Sequence, residues 1–210
     1  MSFFVDAGMS VVTAYPMVAI GRVATERRSS ADPQQMGEVL VNYLGLENIR
    51  SQTGELVNFR RREAQSIKSR SKIFKSENVL FGRLRPELNK VFLAHTPAKE
   101  GICSSEFIVL EPFTDRVHPR YLRHILASEF VTRFVSKLTV GAPLPRLSAQ
   151  DLLSIEIPLP PLEVQTFLAA RLEKIDAEIS ETRKHLQQLP VDLAAGLIQA
   201  LICGSVELHT

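Results

Sequence analysis

A heptad of apolar positions through the last quarter of this 210-residue chain restricts its possible folds more than any other feature. After the proline-rich stretch "IPLPPLEVQ", Leu168, Leu172, Ile175, Ile179, Thr182, Leu186, Leu189, Leu193, Gly196 and Ala200 follow at alternating spacings of four and three. That spacing lines one edge of a helix with a seam that packs lengthwise on another helix. A helix folded back on its own domain is the alternative, and sustained a/d spacing favours a separate helical partner. Pro161 stands near the first turn, and a helix from Leu162 to Leu189 would be roughly 40 Å long. Pro190 removes a backbone donor and crowds the preceding turn, which predicts a kink or brief break with the seam continuing in phase. Gly204 closes the second piece.

The rest of the chain reads as a mixed domain. Val18 to Val23 and Val39 to Leu44 are short β-prone runs, and "ATERRSSADPQQMGE" between them reads as a loop around Asp32-Pro33. "NVLFGRLRPELNKVFLAH" reads as two strands about an Arg-Pro turn, and "SSEFIVLEPF" as a third strand ended by Pro112. A helix is predicted from Pro119, with Tyr121, Leu122, Ile125, Leu126, Phe130, Phe134 and Leu138 on its buried face. "TVGAPLPRLSAQD" reads as a loop and "LLSIEIPLP" as a strand. The fold class is α+β: a mixed α/β head over residues 1–158, then a helical, coiled-coil-like arm over residues 159–210.

With 45% hydrophobic residues the chain can bury a core. Cys103 and Cys203 are far apart and lack metal-ligand spacing, as expected of two reduced thiols in a cytosolic protein. The N-terminus lacks the basic start of a signal peptide, and no apolar run approaches the roughly 20 residues of a membrane span. A cytoplasmic protein is therefore expected. The net charge of +2 conceals an asymmetry. Residues 50–75 hold eight Lys/Arg against two Glu, a local balance of +6, whereas residues 159–210 hold four against seven acidic residues. The first region suits a polyanion and the arm does not.

Two basic constellations stand out. Arg60, Arg61, Arg62, Lys68, Arg70 and Lys72 are interleaved with Gln65, Ser66, Ser69 and Ser71 on a predicted long surface loop. Arginine can grip phosphate or guanine with two donors, and glutamine can do the same for adenine. A solvated loop without a partner is the competing reading. In "FGRLRPELNK", Arg83 and Arg85 are two apart, so an extended strand projects both to one face, with Lys90 following. Ion pairs with Glu87 or Glu106 are an equal alternative there. Catalytic signals are poor. His95, His118, His124, His185 and His209 form no metal-ligand pair, and neither a G-x-x-x-x-G-K nor a G-x-G-x-x-G loop is present. No catalytic residue, metal or cofactor is expected.

Five blocks together resemble the specificity subunits of type I restriction-modification systems, in family order. They are "YLGLENI" (Tyr43 to Ile49), "NVLFGRLRPELNKV" (Asn78 to Val91), "GICSSEFIVL" (Gly101 to Leu110), "GAPLPRLSAQDLLSIEIPLPPLEVQ" (Gly141 to Gln165) and "LAAGLIQALICGSVEL". The resemblance implies a non-catalytic DNA-recognition subunit that brings a methyltransferase subunit and a restriction subunit to a split site on double-stranded DNA. Such subunits carry two recognition domains separated by two antiparallel helices. This sequence shows one domain and one arm, which looks like a half-subunit. A homodimer through antiparallel arms would complete it, with Leu168, Leu172, Ile175, Ile179, Leu186, Leu189 and Leu193 at the interface; pairing with a different half is the other possibility. Within the resemblance, the Arg60 to Lys72 loop falls between family blocks and is expected to read bases. Arg83, Arg85 and Arg146 are expected to position the DNA backbone, with Lys90 serving phosphate contact or fold support. The competing function is an assembly adaptor that uses the same arm but has lost DNA binding; a stand-alone nuclease is a third reading.

Overall fold

Residues 79–81, 91–93 and 107–110 are apolar at every position, a pattern that suits strands buried on both faces. The computed structural model describes residues 3–6, 9–12, 14–138 and 144–202; within residues 3–12, and at 192, 194 and 196–202, it describes the backbone. Gly141, Cys203 and Gly204 lie outside the described residues, as do the side chains of Gly196 and Ala200. The described strands are β1 (Phe3–Asp6), β2 (Met9–Val12), β3 (Met17–Ala19), β4 (Ala24–Glu26), β5 (Ser30–Ala31), β6 (Leu40–Val41), β7 (Tyr43–Leu44), β8 (Arg62–Glu63), β9 (Ser71–Phe74), β10 (Val79–Gly82), β11 (Val91–Leu93), β12 (Gly101–Cys103), β13 (Phe107–Pro112) and β14 (Glu156–Pro158). The helices are α1 (Pro119–Leu126), α2 (Glu129–Leu138), α3 (Ala149–Ser154) and α4 (Leu162–Ile202).

The central sheet has the order β11-β10-β13-β4, with β10 antiparallel to both its neighbours. Side chains alternate between its faces. Val79, Phe81, Val91, Leu93, Ile108 and Leu110 enter a core shared with α1, α2, α3 and the start of α4. Leu80, Phe92, Phe107 and Val109 enter a second core with Leu44, Phe74 and Cys103 from the sheet β5-β9-β12-β7. Each residue of these runs therefore faces one core or the other, which accounts for the unbroken apolar sequence. In the second sheet β12 runs parallel to β7 and antiparallel to β9. Strand pairs β14–β3, β6–β8 and β1–β2 are antiparallel.

Several predicted elements differ from those observed. The stretch read as a loop over residues 24–38 supplies β4 and β5. Both pair along one side, at the ends of their sheets, where polar residues stay accessible. The single helix expected after Pro119 is two, because Ser128 accepts from the Val131 amide (3.5 Å) and caps α2, with Glu129 in its first turn. Leu152 and Leu153 belong to α3 rather than a strand. Ser148 caps that helix by accepting from the Asp151 amide at 3.0 Å, while its hydroxyl donates to the Asp151 carboxylate at 2.6 Å. The basic stretch read as loop contains β8, a 3-10 turn at Ala64–Ser66, and β9.

Two compact units divide the chain, Met1–Ala169 and Ala170–Thr210. The first two turns of α4 belong to the first unit for a specific reason. Gln165 is fully buried there, accepting from the His118 amide at 2.8 Å and donating to the carbonyls of Pro160 (2.8 Å) and Arg116 (3.1 Å). Ala169 is buried in the larger core and Leu168 packs against it. Replacing Gln165 by leucine strands one amide and two carbonyls in an apolar interior. We expect a loss of about 2–4 kcal/mol in unfolding free energy by urea titration.

Burial pushes the Cys103 thiol up to about 12, with Lys72 pulling weakly the other way. Burial likewise pushes the Tyr121 phenol up to about 12, with Tyr15 adding to it. Both groups are neutral when protonated, and the unfolded chain ionises first, near the ordinary values of 9.0 and 10.0. Their stabilisation is therefore complete below about pH 9 and is lost as pH rises toward 12. Urea midpoints measured across that window should fall steadily, and Cys103 should resist alkylation at pH 8 in the folded protein.

Candidate nucleic-acid interface

Three consecutive arginines, Arg60, Arg61 and Arg62, stand at an open surface around the short ribbon β6–β8. Leu40 pairs with Glu63 and Val41 with Arg62. The Ala64 amide donates to the Val39 carbonyl at 2.9 Å, and the Ser66 hydroxyl to the Glu63 carbonyl at 2.7 Å. The Gln34 side-chain amide donates to the carbonyls of Gln65 (2.8 Å) and Ile67 (2.9 Å), fixing the turn that follows β8 from outside. Beside this ribbon opens a groove of about 720 Å³, lined by Leu40, Tyr43, Glu47, Asn48, Asn58, Arg60, Arg61, Arg62, Glu63 and Ser66.

The three arginines are held differently. The Arg62 guanidinium lies over the Tyr43 ring, 5.0 Å from its centroid, a geometry that restrains the cation without consuming its donors. Arg61 donates to the Leu40 carbonyl at 2.5 Å. Arg60 is exposed and has no ion-pair partner among the described residues. Burial raises the Tyr43 phenol above its ordinary value, Glu47 adds to this and Arg62 opposes it, so the hydroxyl remains a donor at neutral pH. Asn48 shapes the groove's far wall, its side-chain amide donating to the carbonyls of Val57 (3.3 Å) and Asn58 (3.4 Å). Asn58 adopts a left-handed backbone, φ 50°.

The other basic residues are spread over the fold. Lys68 is exposed and has no ion-pair partner among the described residues, and Arg70 donates to the Ser30 hydroxyl at 3.3 Å. Lys72 is largely covered and pairs at 3.2 Å with Glu26, itself largely covered. Lys90 donates to the Leu46 carbonyl at 2.7 Å. Arg146 lies against the Glu106 carboxylate at 3.2–3.3 Å, and Arg85 lies 3.6 Å from Glu87. Of the ion pairs considered for Arg83, Arg85 and Lys90, the one between Arg85 and Glu87 is observed, whereas Glu106 is taken by Arg146. Arg83 and Arg85 do not share a strand face: β10 ends at Gly82 and Arg85 is left-handed, φ 48°, so the period of two does not extend to it. The Arg83 Nε is buried without a hydrogen-bond partner.

In the second unit, Leu172, Ile175, Ile179, Leu186, Leu189 and Leu193 are all exposed, with Leu186 at 61% and Leu193 at 66%. Leu168, the first seam position, is instead half-buried against the head's core. The Thr182 hydroxyl is absorbed by the Glu178 carbonyl at 2.8 Å, which lets a polar residue stand in the seam. Helix α4 continues through Pro190 without a break, in place of the brief interruption considered above. No helix among the described residues is long and apolar enough to cross a membrane. Among those residues no group of three or more His, Cys, Asp or Glu is placed to hold a metal ion.

An α+β head bearing an arginine-rich groove, continued by a long helix with an exposed apolar edge, has the build of a recognition module. Residues 54–190 match the type I restriction modification DNA specificity domain, and the chain belongs to that family. It is similar to the type I restriction enzyme MjaVIII specificity subunit of Methanocaldococcus jannaschii, with 37% identity over 76 residues, 36% of this chain and 18% of that protein. It is similar also to the EcoDI specificity subunit of Escherichia coli, with 24% identity over 144 residues, 69% of this chain and 31% of that one. The crystal structure of the HsdS subunit from Thermoanaerobacter tengcongensis superposes with a TM-score of 0.72 at 26% identity, covering 92% of this chain and 50% of that chain. The chain thus spans about half the length of that solved relative and under a third of the two curated ones.

Part of the groove has no signature in the sequence: Tyr43, Glu47, Asn58 and Glu63 line it without belonging to either basic constellation. The proximity of an aromatic residue to a later arginine run carries no local signal, because the β6–β8 pairing that joins them spans about twenty residues.

Proposed function

We propose that this chain is the sequence-specific DNA-recognition part of a type I restriction-modification complex, without catalysis of its own. The observation that carries the reading is the Arg60–Arg62 groove lying within the specificity-domain match. Its free and stacked guanidinium groups suit direct contact with base edges, and exposed Lys68 and Arg70 suit phosphates nearby. Lys72, Lys90 and Arg146, held by internal partners, serve chiefly to support the fold. Residues 159–210 form the arm, whose apolar edge pairs antiparallel with that of a second copy. Two heads so related recognise a split palindromic site, and the assembly presents it to a methyltransferase subunit and a restriction subunit in the cytoplasm.

The test is selection from a pool of random duplexes by the purified full chain, followed by titration of the enriched duplex from 50 to 200 mM salt. We expect a motif in two separated parts. The logarithm of affinity should fall linearly with the logarithm of salt, by about 0.9 per phosphate neutralised. A chain that dimerises yet enriches no motif and shows no salt-dependent DNA affinity is the adaptor, and the DNA-recognition reading is then discarded.

A further inference from the structure

One aliphatic side chain stands among the charges of the arginine groove. Of the described residues that line it, all but Leu40 and Tyr43 are polar or charged. The Arg62 guanidinium lies over the Tyr43 ring, whereas Leu40 is 53% exposed. A lone leucine on a protein surface is ordinary. This one is set apart by its place in the groove and by how firmly it is presented.

Strands β6 and β8 form a sheet of two strands, with Leu40 opposite Glu63 and Val41 opposite Arg62. Leu40 and Glu63 therefore share one face, the more exposed one, and Val41 and Arg62 share the other. Arg61 holds the Leu40 carbonyl, and the Val39 carbonyl accepts from the amide of buried Ala64. Two residues further on, the Asn42 carbonyl accepts from the Ile102 amide at 2.9 Å, and the Asn42 side chain donates to the Glu100 carbonyl at 2.8 Å. Backbone tied on both sides of Leu40 loses little freedom when a ligand covers it. Leu40 also precedes the block from Tyr43 to Ile49 and lies outside all five blocks that resemble the family, where a residue reading one particular site belongs.

The major groove of DNA admits a two-stranded ribbon. Its base edges present hydrogen-bonding groups with one apolar exception, the C5 methyl of thymine, and the minor groove presents no methyl. Leucine can offer such edges only dispersion and the exclusion of water, so the methyl is the group that it fits.

We propose that Leu40 is a specificity-determining residue whose side chain packs on the C5 methyl of a thymine in the major groove. This rests on the DNA-recognition reading above.

The experiment removes that methyl alone. The duplex selected by the full-length wild type is remade with deoxyuridine in place of thymine, one position at a time on either strand. Each duplex is titrated with the wild type, Leu40→Ala and Val39→Ala, with thermal unfolding as a check on each fold. Val39 is the exposed neighbour that does not line the groove. We expect one thymine of the motif at which uracil weakens wild-type binding about three- to fivefold, the effect of one buried methyl. Leu40→Ala should bind the thymine and uracil duplexes alike at that position, and Val39→Ala should keep the wild-type penalty. A wild type indifferent to uracil at every position overturns the proposal whatever the variants do. A penalty that persists in Leu40→Ala overturns it too, as does a motif lacking A·T pairs. A wild type that enriches no motif overturns the DNA-recognition reading itself, a result distinct from these.

Discussion

Replacing Arg60, Arg61 and Arg62 together by alanine should lower affinity for the selected duplex by about a hundredfold or more, while affinity for unrelated duplex falls much less. Each well-placed arginine contact to a base contributes on the order of 1–3 kcal/mol of discrimination. Arg60 is free to make such a contact, and Arg62 is held over Tyr43 with its donors unspent. Arg61 is partly engaged by the Leu40 carbonyl, so its share should be smaller. The measurement is competition between the selected and a scrambled duplex at fixed salt. A ratio of affinities equal to that of the wild type would place base reading elsewhere. The control is Lys68→Ala, where an exposed cation suited to phosphate is lost. There both affinities should fall together, and the salt slope should drop by about one unit.

The second large effect lies in the arm. Ile179→Asp combined with Leu186→Asp should convert the protein from twice its 23.5 kDa chain mass to that mass in light scattering at micromolar concentration. Six exposed apolar seam residues are available, and burying each contributes about 1.5–3 kcal/mol. Two aspartates at the centre of the seam remove two of these and place unpaired carboxylates in a dry interface, a change costing several kcal/mol. Unaltered unfolding of the head in the same variant would separate loss of pairing from loss of fold. A double variant that keeps the dimer mass would mean that the seam is not the pairing surface. A wild type that is monomeric throughout would assign the seam to a different protein.

A further consequence of local geometry concerns Gly54. Its backbone is left-handed, φ 65°, and a Cβ there would land on the Val91 carbonyl oxygen inside the head. Alanine therefore meets both conformational strain and a backbone clash that no rotamer change relieves. We expect a cost of about 2–3 kcal/mol, read as a lowered urea midpoint.

Strands β10, β11 and β13 were readable because burial on both faces demands an unbroken apolar run, and such a run is visible without knowledge of its neighbours. Helix α4 was readable because its seam repeats over many turns. The division between α1 and α2, and the existence of α3, were carried by Ser128 followed by Glu129 and by Ser148 followed three residues later by Asp151. Capping signals of this kind are explicit in the chain but are easily overridden by an apolar periodicity running across them. The roles of the basic residues were less accessible. Lys72 and Glu26 are 46 residues apart and Arg146 and Glu106 are 40 apart, so their engagement follows from sheet assembly and not from local pattern. Only after the sheets form does a cation that is spent on the fold differ from one available to a ligand.

The groove and the two cores draw on different side chains. Arg60, Arg61 and Glu63 point to solvent, whereas Phe81, Phe107 and Leu110 are sealed within the head. Substitutions at the groove therefore carry little penalty in folding. Under selection for a new target, such a chain can explore many alternative readouts one residue at a time without passing through unfolded intermediates. On the proposed function, drift in the sequence read should outpace drift in the framework, and variants that fold alike should address different sites.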